Sequence, residues 1–132
     1  MSVEQTRPLR QAVLRPHMTI EEMVQSEPRN AFAVGAFDRD ELIAVGLVGP
    51  EGEPGAWRVR GMATAPRARG RGAGTAVLEA LLEHARAQGA RSLWASVRTP
   101  ARSLYERAGF RADSDVYELP HIGPHVLMRL TV

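Results

Sequence analysis

The segment Pro66–Thr75, PRARGRGAGT, sets glycines at positions 70, 72 and 74 and arginines at 67, 69 and 71, just ahead of a long apolar helical pattern. Val77, Leu78, Leu81, Leu82 and Ala85 recur at spacings that place all five on one helix face. Upstream, AWRVRGMAT from Ala56 alternates apolar residues with arginine at the period of a strand. A strand, a Gly-rich turn and a helix thus follow in order. At such a junction, free backbone N–H groups and the positive end of the helix dipole meet, which makes an anion site. The bland alternative is a tight turn with exposed arginines. The glycine pattern favours phosphate binding over it.

Which phosphate is decided by what surrounds the turn. A phosphate loop of the nucleotide-hydrolase type needs a Gly-Lys-Ser/Thr triplet, and the chain contains no lysine. A dinucleotide fingerprint needs its third glycine one position later and would follow the first strand of a parallel strand–helix–strand unit, not an antiparallel meander. A nucleic-acid surface would want net positive charge and exposed aromatics. Here 17 basic residues, all arginine, face 15 acidic ones, and there are three Phe, two Trp and two Tyr. No nucleic-acid partner is expected.

A length of 132 residues predicts a single domain over positions 1–132. The absence of cysteine excludes disulfides, thiolate metal sites and a cysteine nucleophile. The four histidines lack a metal-ligand spacing, since Gly123 and Pro124 interrupt His121 and His125, so no metal is expected. No run approaches the ~20 apolar residues of a membrane span, and the N-terminus lacks a signal-peptide core. The expectation is no membrane association and a cytoplasmic location.

Around the glycine turn, RPLRQAVLR (7–15) predicts a short helix with Pro8 in its first turn. The segment 16–30 predicts a loop with one helical turn, Thr19 and Glu22 forming a capping box. AFAVGAF and ELIAVGLVG, separated by DRD, predict a hairpin, and AWRVRGMAT a third antiparallel strand. RSLWASV from Arg91 predicts a strand, ARSLYERA from Ala101 a helix closed by Gly109, and YEL and VLMRLTV the last strands. The fold class is α/β (α+β), a mixed, mostly antiparallel sheet flanked by helices. Trp57 and Trp94 are expected in the core.

Arg69-Gly70-Arg71-Gly72-Ala73-Gly74 resembles the pyrophosphate motif Arg/Gln-x-x-Gly-x-Gly/Ala of the GNAT acyl-CoA-dependent N-acetyltransferases. A second block, ARSLYERAGF (101–110), is similar to that family's helix-plus-strand motif, and the clear resemblance covers Ala56 to about Phe110. The ending HIGPHVLMRL and the opening LRQAVLRP resemble the ElaA-like branch. The strand that usually precedes the first helix in the family has only Ser2 to Arg7 in which to form.

The resemblance implies transfer of acetyl from acetyl-CoA to a primary amine by direct attack. The acceptor would be a small-molecule amine or a peptide N-terminus or lysine, and the protein a monomer or homodimer. It implies that Met62, Ala63 and Thr64 bind the coenzyme arm through their backbones, with the Met62 N–H facing the thioester oxygen. It implies a pyrophosphate cradle in Arg69, Gly70, Arg71, Gly72, Ala73, Gly74 and Thr75, helped by Arg67. Tyr105 falls at the position of the general acid. Arg98 stands where many relatives carry an asparagine that contacts the coenzyme. Relatives often carry a glutamate base on the strand equivalent to Ala56–Thr64, and this strand has no carboxylate. Glu118, His121 and His125 are the remaining candidates, with His125 preferred because imidazole titrates near neutral pH. The missing carboxylate keeps open an alternative, a non-catalytic acyl-CoA-binding domain. Acidic groups in the early loop could attract a cationic amine.

Overall fold

The computed structural model describes residues 1–28 and 30–132. The chain begins with α1 (Val3–Leu14) and α2 (Ile20–Gln25), then three strands, β1 (Phe32–Asp38), β2 (Glu41–Pro50) and β3 (Ala56–Thr64). After the glycine turn come α3 (Ala73–Ala87), β4 (Ser92–Arg98) and α4 (Arg102–Arg107). Two short strands, β5 (Arg111–Ala112) and β6 (Tyr117–Leu119), precede the long β7 (Gly123–Thr131). The strands form one sheet in the order β1-β2-β3-β4-β7-β5, with β6 also paired to β7. All neighbours are antiparallel except β3 and β4, which α3 joins as a parallel crossover.

The five predicted face residues of α3 are all buried, and Leu78 and Leu81 almost completely so. Each such leucine contributes about 2 kcal/mol through removal of apolar area from water. They pack on Ala44 and Val48 of β2, Val59 of β3, and Leu93, Ala95 and Val97 of β4 within one core cluster. A Cβ on Gly46 would strike Leu81 and Val77, so this position must be glycine for α3 to lie so close. Its neighbour Leu47 faces the other side, toward α1. The sheet is therefore covered by α3 on one face and α1 on the other.

Residues Ser2 to Arg7, the only room for the family's first strand, form none: Ser2 and Gln5 make a reciprocal capping box that starts α1 at Val3. Two expectations need correction. Pro8 consequently stands inside the helix rather than in its first turn. Trp57 is half-buried and packs against the core, but Trp94 lies outside it: its indole N–H donates to the Glu51 carbonyl at 2.9 Å and its ring lies 4.4 Å from the Arg58 guanidinium carbon. The predicted box of Thr19 and Glu22 is present and nucleates a full short helix, α2. Arg29, inside the segment read as a loop, lies outside the described residues. β5 has no strand signature in the sequence and exists by pairing Arg111 and Ala112 to the far edge of β7.

α1 is tied to the loop after α2 by Glu27, whose carboxylate takes Arg7 at 2.9 Å and Arg10 at 2.7 Å. Burial alone would push the Glu27 carboxyl up, but the hydrogen bonds and charges of Arg7 and Arg10 outweigh it and hold it below its ordinary value. A depressed carboxyl stabilises the fold above the unfolded carboxylate range, and that contribution is lost as pH falls through the folded value. Glu27→Gln is expected to cost about 3 kcal/mol at pH 7 in urea unfolding, because it leaves two guanidinium groups uncompensated. The gap to the parent protein should narrow below pH 4; an equal gap at pH 3 and pH 7 would contradict the ion-pair account.

Candidate active site

The parallel contact between β3 and β4 is short. It covers Ala56–Ser92, Trp57–Leu93 and Arg58–Trp94, and there it stops. Beyond it, β3 continues along β2 as far as Thr64, and β4 continues along β7 as far as Arg98. The two strand edges that face each other are left without partners. A cavity of about 620 Å³ occupies the opening, lined by Val59–Thr64 on one side and Ser96–Arg98 on the other.

A bulge sharpens the divergence. Val45 opposes Ala63 and Leu47 opposes Arg60, so Gly46 alone faces both Gly61 and Met62. The extra residue on β3 is accommodated by Gly61 at φ +63°, and a bulge of this kind leaves one residue outside the ladder. A Cβ on Gly61 would also come within 3.0 Å of the Arg10 Nε atom. The segment that departs from regular pairing is thus the one that holds Met62.

At one end of the opening lies the glycine turn. Gly70 and Gly72 have φ of +79° and +82°, and added Cβ atoms there would meet open space. Their requirement for glycine is conformational. Gly74 differs: its φ is ordinary for a helix, but a Cβ would stand 3.3 Å from the Thr64 Oγ1 atom. Gly72 caps α3 without any side-chain bond, so the first amides of the helix point free into a second cavity of about 310 Å³. Arg69, Gly70, Gly72, Ala73, Gly74 and Thr75 line that space, together with Arg107 of α4. Arg67 and Arg71 are turned away, to Glu41 and to Asp38 of the β1–β2 hairpin, and line neither cavity.

Tyr105 and His125 stand deeper. Tyr105 is 5% exposed, packs edge-on against Phe110 at 5.4 Å and lines the large cavity. Burial raises its phenol well above the ordinary value. His125 is 3% exposed, and its Nδ1 is 2.9 Å from the Gly123 carbonyl oxygen. A carbonyl oxygen can only accept, so Nδ1 carries a hydrogen, and in the neutral ring Nε2 is the nitrogen left to accept. His125 lines both the large cavity and a third one of about 170 Å³ beneath α1 and α2, and so stands where the two meet. Glu118, exposed on β6, and His121, in the turn after it, border only a surface pocket there. Of the three candidate bases, the fold brings one to the opening.

Residues 3–110 match the Acetyltransferase (GNAT) family. The chain belongs to that family. It is 29% identical over 139 aligned positions, covering 100% of its own length and 93% of the relative's, to the uncharacterized N-acetyltransferase YitI of Bacillus subtilis. Its fold is similar to that of the ribosomal-protein-S18-alanine N-acetyltransferase of Escherichia coli, with TM-score 0.78, 17% identity and coverage of 100% and 90% of the two chains. An aminoglycoside 6'-N-acetyltransferase solved with coenzyme A superposes with TM-score 0.77 at 16% identity, covering 97% of this chain and 89% of that one.

As a GNAT acyltransferase, the chain departs from its family resemblance in what surrounds β3. In place of a carboxylate the strand carries Arg58 and Arg60, both bound to Glu51, at 2.8 and 2.7 Å. Arg98 reaches back to the Leu14 carbonyl at 2.6 Å, bracing α1 against β4. Sequence reasoning passed over Leu14, Arg15, Arg60, Gly61 and Ser96 as lining residues. Only Gly61 carried a signal, an isolated glycine inside an alternating strand, which marks a bulge. Gly61→Ala is expected to cost about 1–2 kcal/mol in thermal or urea unfolding, from left-handed strain. If Gly61→Ala matches the parent protein in stability, the bulge geometry is wrong.

Proposed function

We propose that this GNAT enzyme transfers the acetyl group of acetyl-CoA to a primary amine by direct attack, with no covalent enzyme intermediate. The observation that carries the reading is one continuous opening. It runs from the uncapped N-terminus of α3, past the unpaired edges of β3 and β4, to His125 at the mouth of the smaller cavity.

The residues fit the coenzyme on their own chemistry. The free amides of Gly72, Ala73, Gly74 and Thr75, at the positive helix end, suit a pyrophosphate, and Arg69 adds charge beside them. The unpaired backbone edges of Val59–Thr64 and Ser96–Arg98 suit the amides of a pantetheine arm, since backbone groups without a ladder partner need another. Acetyl-CoA, when bound, supplies the activated thioester.

The chain's own groups then divide the work. The Met62 N–H, freed by the bulge, donates to the thioester oxygen, where negative charge develops; a fixed donor of this sort is worth about 3 kcal/mol. The bare Nε2 of His125 accepts the proton that an ammonium must lose before it can attack. Tyr105 donates its O–H to the departing thiolate. Because burial raises the phenol, Tyr105 remains protonated throughout the range in which thiols ionise. Arg67 and Arg71 give at most exposed, salt-screened help, since each holds a hairpin carboxylate.

Release of free thiol from acetyl-CoA with a panel of amines tests the reading. A binding module without catalysis would show a coenzyme-dependent rise in melting temperature and no amine-dependent release. Tyr105→Phe should lower turnover about 10²–10⁴-fold with unchanged coenzyme A affinity. The parent enzyme should show no loss of activity between pH 8 and 10 from this group, because its neutral form is the working one. His125→Gln should slow ammonium acceptors strongly and hydroxylamine, unprotonated at neutral pH, only slightly. Equal slowing of both would remove His125 from the role of base.

A further inference from the structure

The opening between β3 and β4 continues into the cavity of about 170 Å³ under α1 and α2. That is smaller than the ~300–1,000 Å³ of a drug-sized site. Its lining is apolar on one side, with Leu14, Met18, Met23 and Leu47. On the other side it is cationic. Buried charge is normally paired, and the pairing here is incomplete. Arg7 and Arg10 share the single carboxylate of Glu27, and Arg58 and Arg60 share that of Glu51. Arg15 and Arg98 have no carboxylate among the described residues, and each donates only to the Leu14 carbonyl.

Arg15 is the one placed for an acceptor. It lines both the large cavity and the small one, as His125 does, and it does not line the space at the glycine turn. Burial, and then the like charges of Arg98 and Arg10, hold its guanidinium below the ordinary value, the mark of a cation short of an anion. Glu27, the acidic group of the early loop, is already held by two arginines, so it offers nothing to a cationic amine.

We propose that the acceptor is a small free amino acid with an apolar side chain, whose carboxylate Arg15 receives while its amine faces His125. The proposal rests on the acetyltransferase reading and deepens it by naming the substrate class. Arg15 and His125 line the same junction, so amine and carboxylate must sit close together, as they do in an α-amino acid. A guanidinium takes a carboxylate through two parallel bonds, which an amide or a bare amine cannot supply.

The test is calorimetric titration of the protein saturated with coenzyme A, using leucine and methionine, their amides, and the corresponding decarboxylated amines. Leucine or methionine should bind at least tenfold more tightly than its amide. Arg15→Gln should weaken the amino acid at least fivefold and the amide less than twofold, and Arg15→Lys should restore part of the difference. Arg86→Gln, on the exposed face of α3, serves as the control for general charge loss. Amides that bind as tightly as the acids overturn the proposal, as does an Arg15→Gln variant that weakens coenzyme A instead. Thiol release from acetyl-CoA with the same compounds is read separately. Its absence with every amine would overturn the acetyltransferase reading, while the titration would still decide the carboxylate site.

Discussion

The site depends on where β3 and β4 stop pairing. Parallel strands normally stay buried and fully bonded, and three paired residues are too few to close a sheet. The rest of each strand is secured from its other side, β3 by β2 and β4 by the long β7. The sheet can therefore hold a gap in its middle without coming apart. Unmet N–H and C=O groups along the gap would be costly in a dry interior and favour a ligand that brings complementary amides. In the proposed reading, the break that opens the sheet also suits an extended, amide-bearing coenzyme arm.

Several local features follow from that break. The bulge at Gly61 and Met62 adds a residue to β3; Arg10 fills the space over the missing Gly61 Cβ and ties α1 to Glu27. α3 starts where β3 ends, so its free amides open at the same end of the gap. Gly74 lets that first turn approach Thr64 closely. A side chain at 74 would act on the site by displacement, whereas one at 70 or 72 would act through backbone strain.

Much of this fold was legible because its signals are local. The face of α3, the hairpin, the capping box at Thr19 and the glycine turn are each written within a dozen residues, and each stands where its pattern puts it. The parallel pairing of β3 and β4, the sequence's silence about β5 and the approach of α1 to the opening are set by contacts far apart in the chain. Arg98 shows the difference well. By sequence it ends a strand; only the fold brings it to the Leu14 carbonyl, which the neighbouring Arg15 also reaches. The absence of a strand over Ser2–Arg7 has a local cause, the reciprocal bonds of Ser2 and Gln5.

The electrostatics of the opening separate two tasks that the arginine-rich sequence presents as one. At the glycine turn the anion site is made of backbone, and two of the three arginines there answer to hairpin carboxylates. Under α1 the cations outnumber the acids, and they are side chains with fixed partners except for Arg15 and Arg98. A backbone cradle holds a pyrophosphate whatever the sequence around it, because the helix amides supply the donors. A guanidinium held among apolar groups is more discriminating, since an uncharged ligand would leave it unpaired. In the proposed reading, coenzyme binding draws on backbone, and choice of acceptor on two side chains, Arg15 at the end of α1 and His125 of β7.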